Sequence, residues 1–261
     1  MIYYAANITQ LFQELPLAER FRRIAEAGFT AYELLFPQRE DLAEVLTLQR
    51  RYGLELALFD LEVDPDHPKG LLNCRDEARF FARLDKAVHL AKKLDCRRLN
   101  ALVGLARPDL SHQAQVDLIV DRLRRAADRV STDGILLLIE ALNVHDNPGY
   151  FLSSSRVGFD VVEAADRPNV LFQYDVYHMQ IMEGNLVETI RRHVGAIGHV
   201  QIADVPGRHE PGTGEIDYPS VLHALEEAGY DGYVGLEYTC SSPQADPFAW
   251  LPIADRQRRR T

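Results

Sequence analysis

A single (β/α)8 barrel, an α/β fold, is what this sequence predicts. Three observations carry that reading. Eight short apolar runs alternate with seven amphipathic segments, and glycines recur at the joints between them. The length, 261 residues, is near the roughly 250 typical of such barrels. Strict alternation implies a parallel sheet covered by helices, and eight units favour closure over an open doubly wound sheet. No GxGxxG follows the first strand, which lowers the dinucleotide-binding alternative.

The elements follow in order. A strand is expected over residues 2–6 and a helix over 17–27, closed by Gly28. Strand 31–36 leads to helix 41–52, which Gly53 ends, and strand 54–59 leads to helix 75–94. After strand 98–103, Val116, Ile119, Val120, Leu123, Ala127 and Val130 recur at helical spacing through 111–130. Ser111 is the natural N-cap of that helix, and Gly134 follows its end. Strands at 135–140, 170–175, 197–202 and 233–237 alternate with helices at 155–165, 186–194 and 218–228, the last closed by Gly229. A weak echo joins the two ends: EAGFTAY (26–32) matches EAGYDGY (227–233), each a helix-to-strand joint. The barrel is assigned to residues 1–253, and the basic residues 254–261 are read as a flexible, solvated tail.

Composition narrows the function. The chain is 46% hydrophobic and 26% charged, ordinary for a globular protein. A formal net charge of −10 argues against nucleic acid or an anionic membrane as partner, because phosphate binding needs clustered Lys and Arg. Cys74, Cys96 and Cys240 form no metal spacing and are odd in number, which fits a reducing cytoplasm. The opening MIYYAANITQ predicts no signal peptide, and no run suits a membrane helix. Oligomeric state is left open.

The most informative feature is that four of the apolar runs end on an oxygen-bearing side chain: Glu140, Asp175, Gln201 and Glu237. A carboxylate buried at a strand tip is costly unless a cation or hydrogen-bond donors meet it. Strand C-terminal ends in a barrel converge on one face, so all four are expected around one divalent ion. Three carboxylates and an amide oxygen are hard ligands that suit Mg²⁺ or Mn²⁺ better than zinc. Each acid alone has a plainer explanation, capping a helix or pairing with an arginine. His178 lies one short turn beyond Asp175, in reach of a substrate oxygen, or else donates to a backbone carbonyl. Arg208, in the Gly- and Pro-rich loop after the seventh strand, offers a planar fork for a carboxylate, or pairs with Glu210 or Asp204. Asn7 and Glu33 either line the pocket or satisfy the barrel interior.

The segments IEALN (139–143), QYDVYHMQ (173–180), MEGNL (182–186), HVQIAD (199–204), RHEPGTGEIDY (208–218) and VGLEY (234–238) resemble the hydroxypyruvate isomerase family, with AANITQLF (5–12) and ELLFPQRED (33–41) extending the likeness over nearly the whole chain. The related 2-oxo-tetronate isomerases share these signatures, and the group belongs to the xylose-isomerase-like barrels. The resemblance implies a metal held by Glu140, Asp175, Gln201 and Glu237, with Glu140 and Glu237 as proton donor and acceptor. It also implies His178 and Arg208 as substrate contacts. The segment ALFDLEVDPDHPKG (57–70) departs from the His-Asn pair of the hydroxypyruvate enzymes, and its Leu58-Phe59 looks more like the oxo-tetronate branch. Tyr174–Gln180 and the GTGEI run look more like the hydroxypyruvate isomerases, so the resemblance is mixed.

The expected chemistry is interconversion of hydroxypyruvate and 2-hydroxy-3-oxopropanoate (tartronate semialdehyde) through an enediolate, with a small hydroxy-keto acid as the partner. Three rivals stand beside it: a 2-oxo-tetronate or sugar isomerase or epimerase, an apurinic-site endonuclease, and a non-catalytic binding protein.

Overall fold

The computed structural model describes residues 1–260. Strands β1 (Tyr3–Asn7), β2 (Ala31–Glu33), β3 (Glu55–Asp60), β4 (Arg98–Asn100), β5 (Leu136–Glu140), β6 (Val170–Asp175), β7 (Ile197–Ile202) and β8 (Tyr233–Leu236) pair in parallel and in sequence order. Tyr3 lies opposite Tyr233 and Ala6 opposite Leu236, so β8 returns to β1 and the barrel closes. Around it run α1 (Leu17–Glu26), α2 (Leu42–Tyr52), α3 (Glu77–Leu94), α4 (His112–Val130), α5 (Ser155–Ala165), α6 (Val176–Met182), α7 (Leu186–His193), α8 (Tyr218–Glu227) and α9 (Ile253–Arg256). No helix among the described residues is long and apolar enough to cross a membrane.

Local sequence explains most boundaries. Ser111 accepts from Ala114 N at 3.2 Å, the cap expected of it, and Asp41 and Asp76 cap α2 and α3 in the same way. Gly53, with φ of 61°, ends α2 in the left-handed conformation that costs glycine nothing. Helix α4 turns Ile119, Leu123, Ala127 and Val130 onto the barrel wall, where burying one such Leu or Ile contributes about 1.5–3 kcal/mol.

Two expectations change. Strands β2 and β4 stop three residues short of their expected ends because rim side chains take over their backbone donors: Thr9 Oγ1 accepts from Leu35 N at 2.9 Å, and Tyr150 Oη accepts from Val103 N at 2.8 Å. The segment from 254 onward is not a free tail. Arg256 is 8% exposed and donates to the carbonyls of Leu251, Ala27 and Phe248, while Thr30 donates to Arg258 O at 2.7 Å. Residues 253–260 thus run across the floor of the barrel, the end where the strands begin. Residue 261 lies outside the described residues.

Inside the floor, Ala5, Ala31, Ala57 and Tyr233 form a small apolar cluster. Towards the opposite end the interior becomes polar. Neighbouring registers set Asn7 beside Glu33, Glu140 beside Gln173, and Asp175 beside Gln201.

Candidate active site

The polar end of the barrel holds a cavity of about 230 Å³ whose walls include Asp60, Glu140, Gln173, His178, Gln201, Arg208 and Glu237. The residues expected to converge from distant strands do so. Each owes its place to a strand tip or to the first turn after one.

Asp175 combines two roles. Its Oδ1 accepts from Tyr177 N at 2.8 Å and caps α6, the short helix that springs directly from β6. That helix was not anticipated, because seven residues with no intervening turn leave no periodicity to read. The other oxygen, Oδ2, is buried without a hydrogen-bond partner. The helix-cap explanation is therefore true of only half the carboxylate.

Helix α6 carries His178 on its first turn, with Nε2 3.6 Å from Asp175 Oδ2. Glu140, Asp175 and His178 offer ligand atoms within 4.8 Å of one another, close enough to meet one ion. The imidazole's hydrogen bonds favour a different role. Asn143 N, which can only donate, points at His178 Nδ1 at 3.3 Å. Burial pushes the His178 pKa down to about 4, so the ring is neutral near pH 7. With Nδ1 accepting, the proton sits on Nε2, and that nitrogen is a donor rather than a ligand.

Glu140 is 5% exposed and accepts from Asn100 Nδ2 at 2.9 Å. Burial, then the nearby charges of Asp175 and Glu237, push its pKa well above the ordinary carboxylate value. Burial pushes Glu237 up to about 8, with Arg208 pulling the other way. Like-charged carboxyls crowded in a dry site cannot all ionise without a cation.

Arg208 sits at φ of 57° in the loop after β7, which Asp204 ties together by accepting from the backbone N–H groups of Gly212, Gly214 and Ile216. Its Nη2 lies 2.9 Å from Glu237 Oε1 and 3.6 Å from Asp175 Oδ2. The arginine therefore pairs with the site's own acids, not with Glu210 or Asp204, and its guanidinium lies over the Tyr177 ring.

Gln201 reaches the wall, but both ends of its amide are engaged. Oε1 accepts from Gln173 Nε2 at 2.6 Å, and Nε2 donates to Glu33 Oε2 at 3.0 Å. On this side, the oxygen without a partner is Gln173 Oε1. Glu33 lies one layer down, where Asn7 Nδ2 also donates to it at 2.8 Å and His199 Nε2 faces its other oxygen. Asn7 and Glu33 thus hold the amides that floor the site. A side chain on Gly235 would place a Cβ 1.8 Å from Glu33 Oε1, which explains the glycine in VGLEY.

Two further polar residues belong here: Asp60, which ends the apolar strand β3 as the four chosen residues end theirs, and Asn100, which ends the short β4. Asp60 is 5% exposed, and burial raises its pKa well above the usual range. The same strand-tip signal points to Asp60, whereas Asn100 lies inside the longer strand that the sequence predicts over 98–103.

The donor set fits a divalent ion: hard oxygens from Glu140, Asp175 and Glu237, an unpartnered buried Asp175 Oδ2, and carboxyl groups that need a cation to ionise together.

Comparison with known proteins agrees with this architecture. The family model described as a xylose isomerase-like TIM barrel matches residues 21–256. The chain belongs to that family. It is 34% identical to the 2-oxo-tetronate isomerase of Pectobacterium atrosepticum over 95% of each chain. It is also 34% identical to the hydroxypyruvate isomerase of Escherichia coli, over 96% of this chain and 98% of that one. A crystal structure described as an AP endonuclease, family 2, from Brucella melitensis superposes with a TM-score of 0.91 at 38% identity, covering 96% of this chain and 98% of that one.

Proposed function

We propose that this protein is a divalent-metal-assisted isomerase that interconverts hydroxypyruvate and 2-hydroxy-3-oxopropanoate. The observation that carries the reading is the pair of buried glutamates, Glu140 and Glu237, which face one small cavity with raised pKa values and both feel the charge of Asp175. Curated relatives named for this chemistry support it.

Glu140, Asp175 and Glu237 would hold the ion, Mg²⁺ or Mn²⁺, with an amide oxygen from Gln201 or Gln173 on the β6–β7 side. Such an ion supplies Lewis acidity and neutralises negative charge gathering on adjacent substrate oxygens. The protein's own groups move the protons. Glu237, which Arg208 pulls towards its carboxylate against the upward push of burial and which the ion would hold ionised, takes a proton from C3 of hydroxypyruvate. Glu140, whose neighbour Asn100 is uncharged, keeps its proton more readily and delivers it to C2. The hydroxyl proton passes from O3 to O2, with the Nε2 hydrogen of His178 oriented to steady one of these oxygens. The product is the isomeric 2-hydroxy aldehyde, and exchange with solvent resets the two glutamates. The cavity admits only a small substrate.

The β3–α3 segment keeps a second reading in play, a four-carbon 2-oxo-tetronate on the same machinery, as in the Pectobacterium relative. A nuclease reading has less behind it, because the chain carries a net charge of −10 and the acids face a narrow cavity rather than a basic groove. The test is side-by-side turnover of hydroxypyruvate and 2-oxo-tetronate with Mn²⁺ or Mg²⁺ against EDTA-treated protein. Metal-dependent isomerisation of hydroxypyruvate, at a kcat/KM at least equal to that for the longer acid, is expected. No turnover of either acid, or metal-dependent nicking of abasic DNA, would overturn the proposal.

A further inference from the structure

Two cationic side chains line the cavity, Lys69 and Arg208, and their surroundings differ. Arg208 is matched by Glu237 at 2.9 Å and Asp175 at 3.6 Å. Lys69 has no carboxylate partner among the described residues. Its Nζ donates to a neutral oxygen, Asn147 Oδ1, at 2.6 Å. An ammonium has three donors, so two remain for a ligand. Among the described residues no acid lies within ion-pair distance of Lys69, so a substrate carboxylate placed there meets a cation, whereas one placed beside Glu237 or Asp175 is repelled.

The lysine is also built into place. The next residue, Gly70, has φ of 120° and bridges to Val103 in the loop after β4. A Cβ at Gly70 would lie 2.1 Å from Leu102 O, so the backbone there is held tightly against the neighbouring loop. Asn147 is fixed in turn: its N and Nδ2 donate to Asn143 O at 3.1 Å and 3.2 Å. Asn143 is the residue that sets the His178 tautomer. One hydrogen-bonded rim therefore runs from Lys69 through Asn147 and Asn143 to His178.

We infer that Lys69, held by Asn147, is the anchor for the substrate's carboxylate and selects short keto and hydroxy acids over uncharged sugars. Arg208, already committed to Glu237 and Asp175, serves the acids instead. The inference rests on the small keto-acid reading above, and a non-reactive ligand separates the two.

The experiment measures D-glycerate binding to the Mn²⁺-loaded protein by calorimetry, together with hydroxypyruvate kinetics, for the parent, Lys69→Met, Lys69→Arg and Asn147→Asp. Lys69→Met is expected to raise the glycerate Kd and the hydroxypyruvate KM at least tenfold. Lys69→Arg should stay within about threefold of the parent, because the charge remains. Asn147→Asp should weaken glycerate by setting a rival carboxylate against the ammonium. Mn²⁺ affinity, read from the electron paramagnetic resonance signal of free Mn²⁺, should be unchanged in all three. The inference is overturned if Lys69→Met binds glycerate like the parent, if Lys69→Arg loses as much as Lys69→Met, or if Mn²⁺ affinity falls in parallel. A parent that binds no glycerate overturns it too. A parent that binds glycerate through Lys69 but does not isomerise hydroxypyruvate overturns the proposed reaction and upholds the anchor.

Discussion

The floor and the mouth of this barrel bury polar groups under opposite rules. On the floor, charged side chains are satisfied by backbone carbonyls. Arg98 donates to Gly198 O at 3.2 Å with its guanidinium over the Tyr233 ring, and Arg256 reaches three carbonyls. At the mouth, Asp60 Oδ1, Asn100 Oδ1, Gln173 Oε1 and Asp175 Oδ2 are buried with no hydrogen-bond partner among the described residues. Unpaired buried polar atoms are expensive, and polar atoms left unsatisfied are a mark of sites that await a ligand. The floor is arranged for stability and the mouth for chemistry, as in other barrels of this type.

The contrast breaks most sharply at the two glutamates. Glu140→Gln and Glu237→Gln should each lower kcat/KM for hydroxypyruvate by about 10²–10⁴-fold, the usual worth of a general acid or base. Thermal melts of metal-free Glu140→Gln should match or exceed the parent, since burial already disfavours the charge that the amide replaces, whereas Glu237→Gln also gives up the pair with Arg208. Turnover within a few-fold of the parent would remove both residues from the reaction.

The next effect lies one layer below the mouth. Glu33 accepts from Asn7 and Gln201 and faces His199 Nε2, so Glu33→Gln replaces a carboxylate with an amide that sets one N–H among these partners. Losses of about 10–100-fold in metal affinity are typical when a group that orients a ligand is changed, and equilibrium dialysis with Mn²⁺ would read it. An unchanged affinity would show that the Gln201 amide does not depend on Glu33.

Titration sharpens the comparison further. The carboxyl of Glu237 has its pKa raised from 4.5 to about 8 in the folded chain. The folded state therefore binds more protons than the unfolded one, and stability falls with rising pH wherever that holds. This contribution is fully present below pH 4.5 and is lost as pH rises through about 8. Metal-free protein should melt progressively lower across that window. Added Mn²⁺ should flatten the trend, because the ion takes the proton's place. A melting temperature that rises with pH in EDTA would contradict the assignment.

The smallest effect belongs to the floor. Arg256→Ala leaves three carbonyls without their donor and should cost about 2 kcal/mol by urea denaturation, in the range of hydrogen bonds to a charged group. At temperatures well below the melting point, kcat/KM should stay within twofold of the parent. A matching loss of activity would mean that floor and mouth are not independent.

Much of this was open to reading in the chain. Short apolar runs, helix caps and joint glycines are local signals, and α4 with its Ser111 cap shows how far they reach. Glu140, Asp175, Gln201 and Glu237 could be grouped although they lie far apart, because barrel closure brings every strand tip to one rim. Lys69 was not legible. It lies in a loop with no periodicity, and its path depends on Gly70 meeting Val103 more than thirty residues later. Nor was the docking of residues 253–260, whose basic composition looks the same whether solvated or bound to carbonyls.

The sequence by itself determined the fold and the gathering of Glu140, Asp175, Gln201 and Glu237 at one end of the barrel, since both follow from short-range patterning repeated eight times. Tertiary structure decided the contacts: that Arg208 faces Glu237 and Asp175, that Asn143 N donates to His178 Nδ1, that Gln201 spends its amide on Gln173 and Glu33, and that Lys69 lacks an acidic partner among the described residues. Charges and hydrogen bonds depend on which groups meet within a few ångströms in a dry cavity, and a linear pattern holds no such distances.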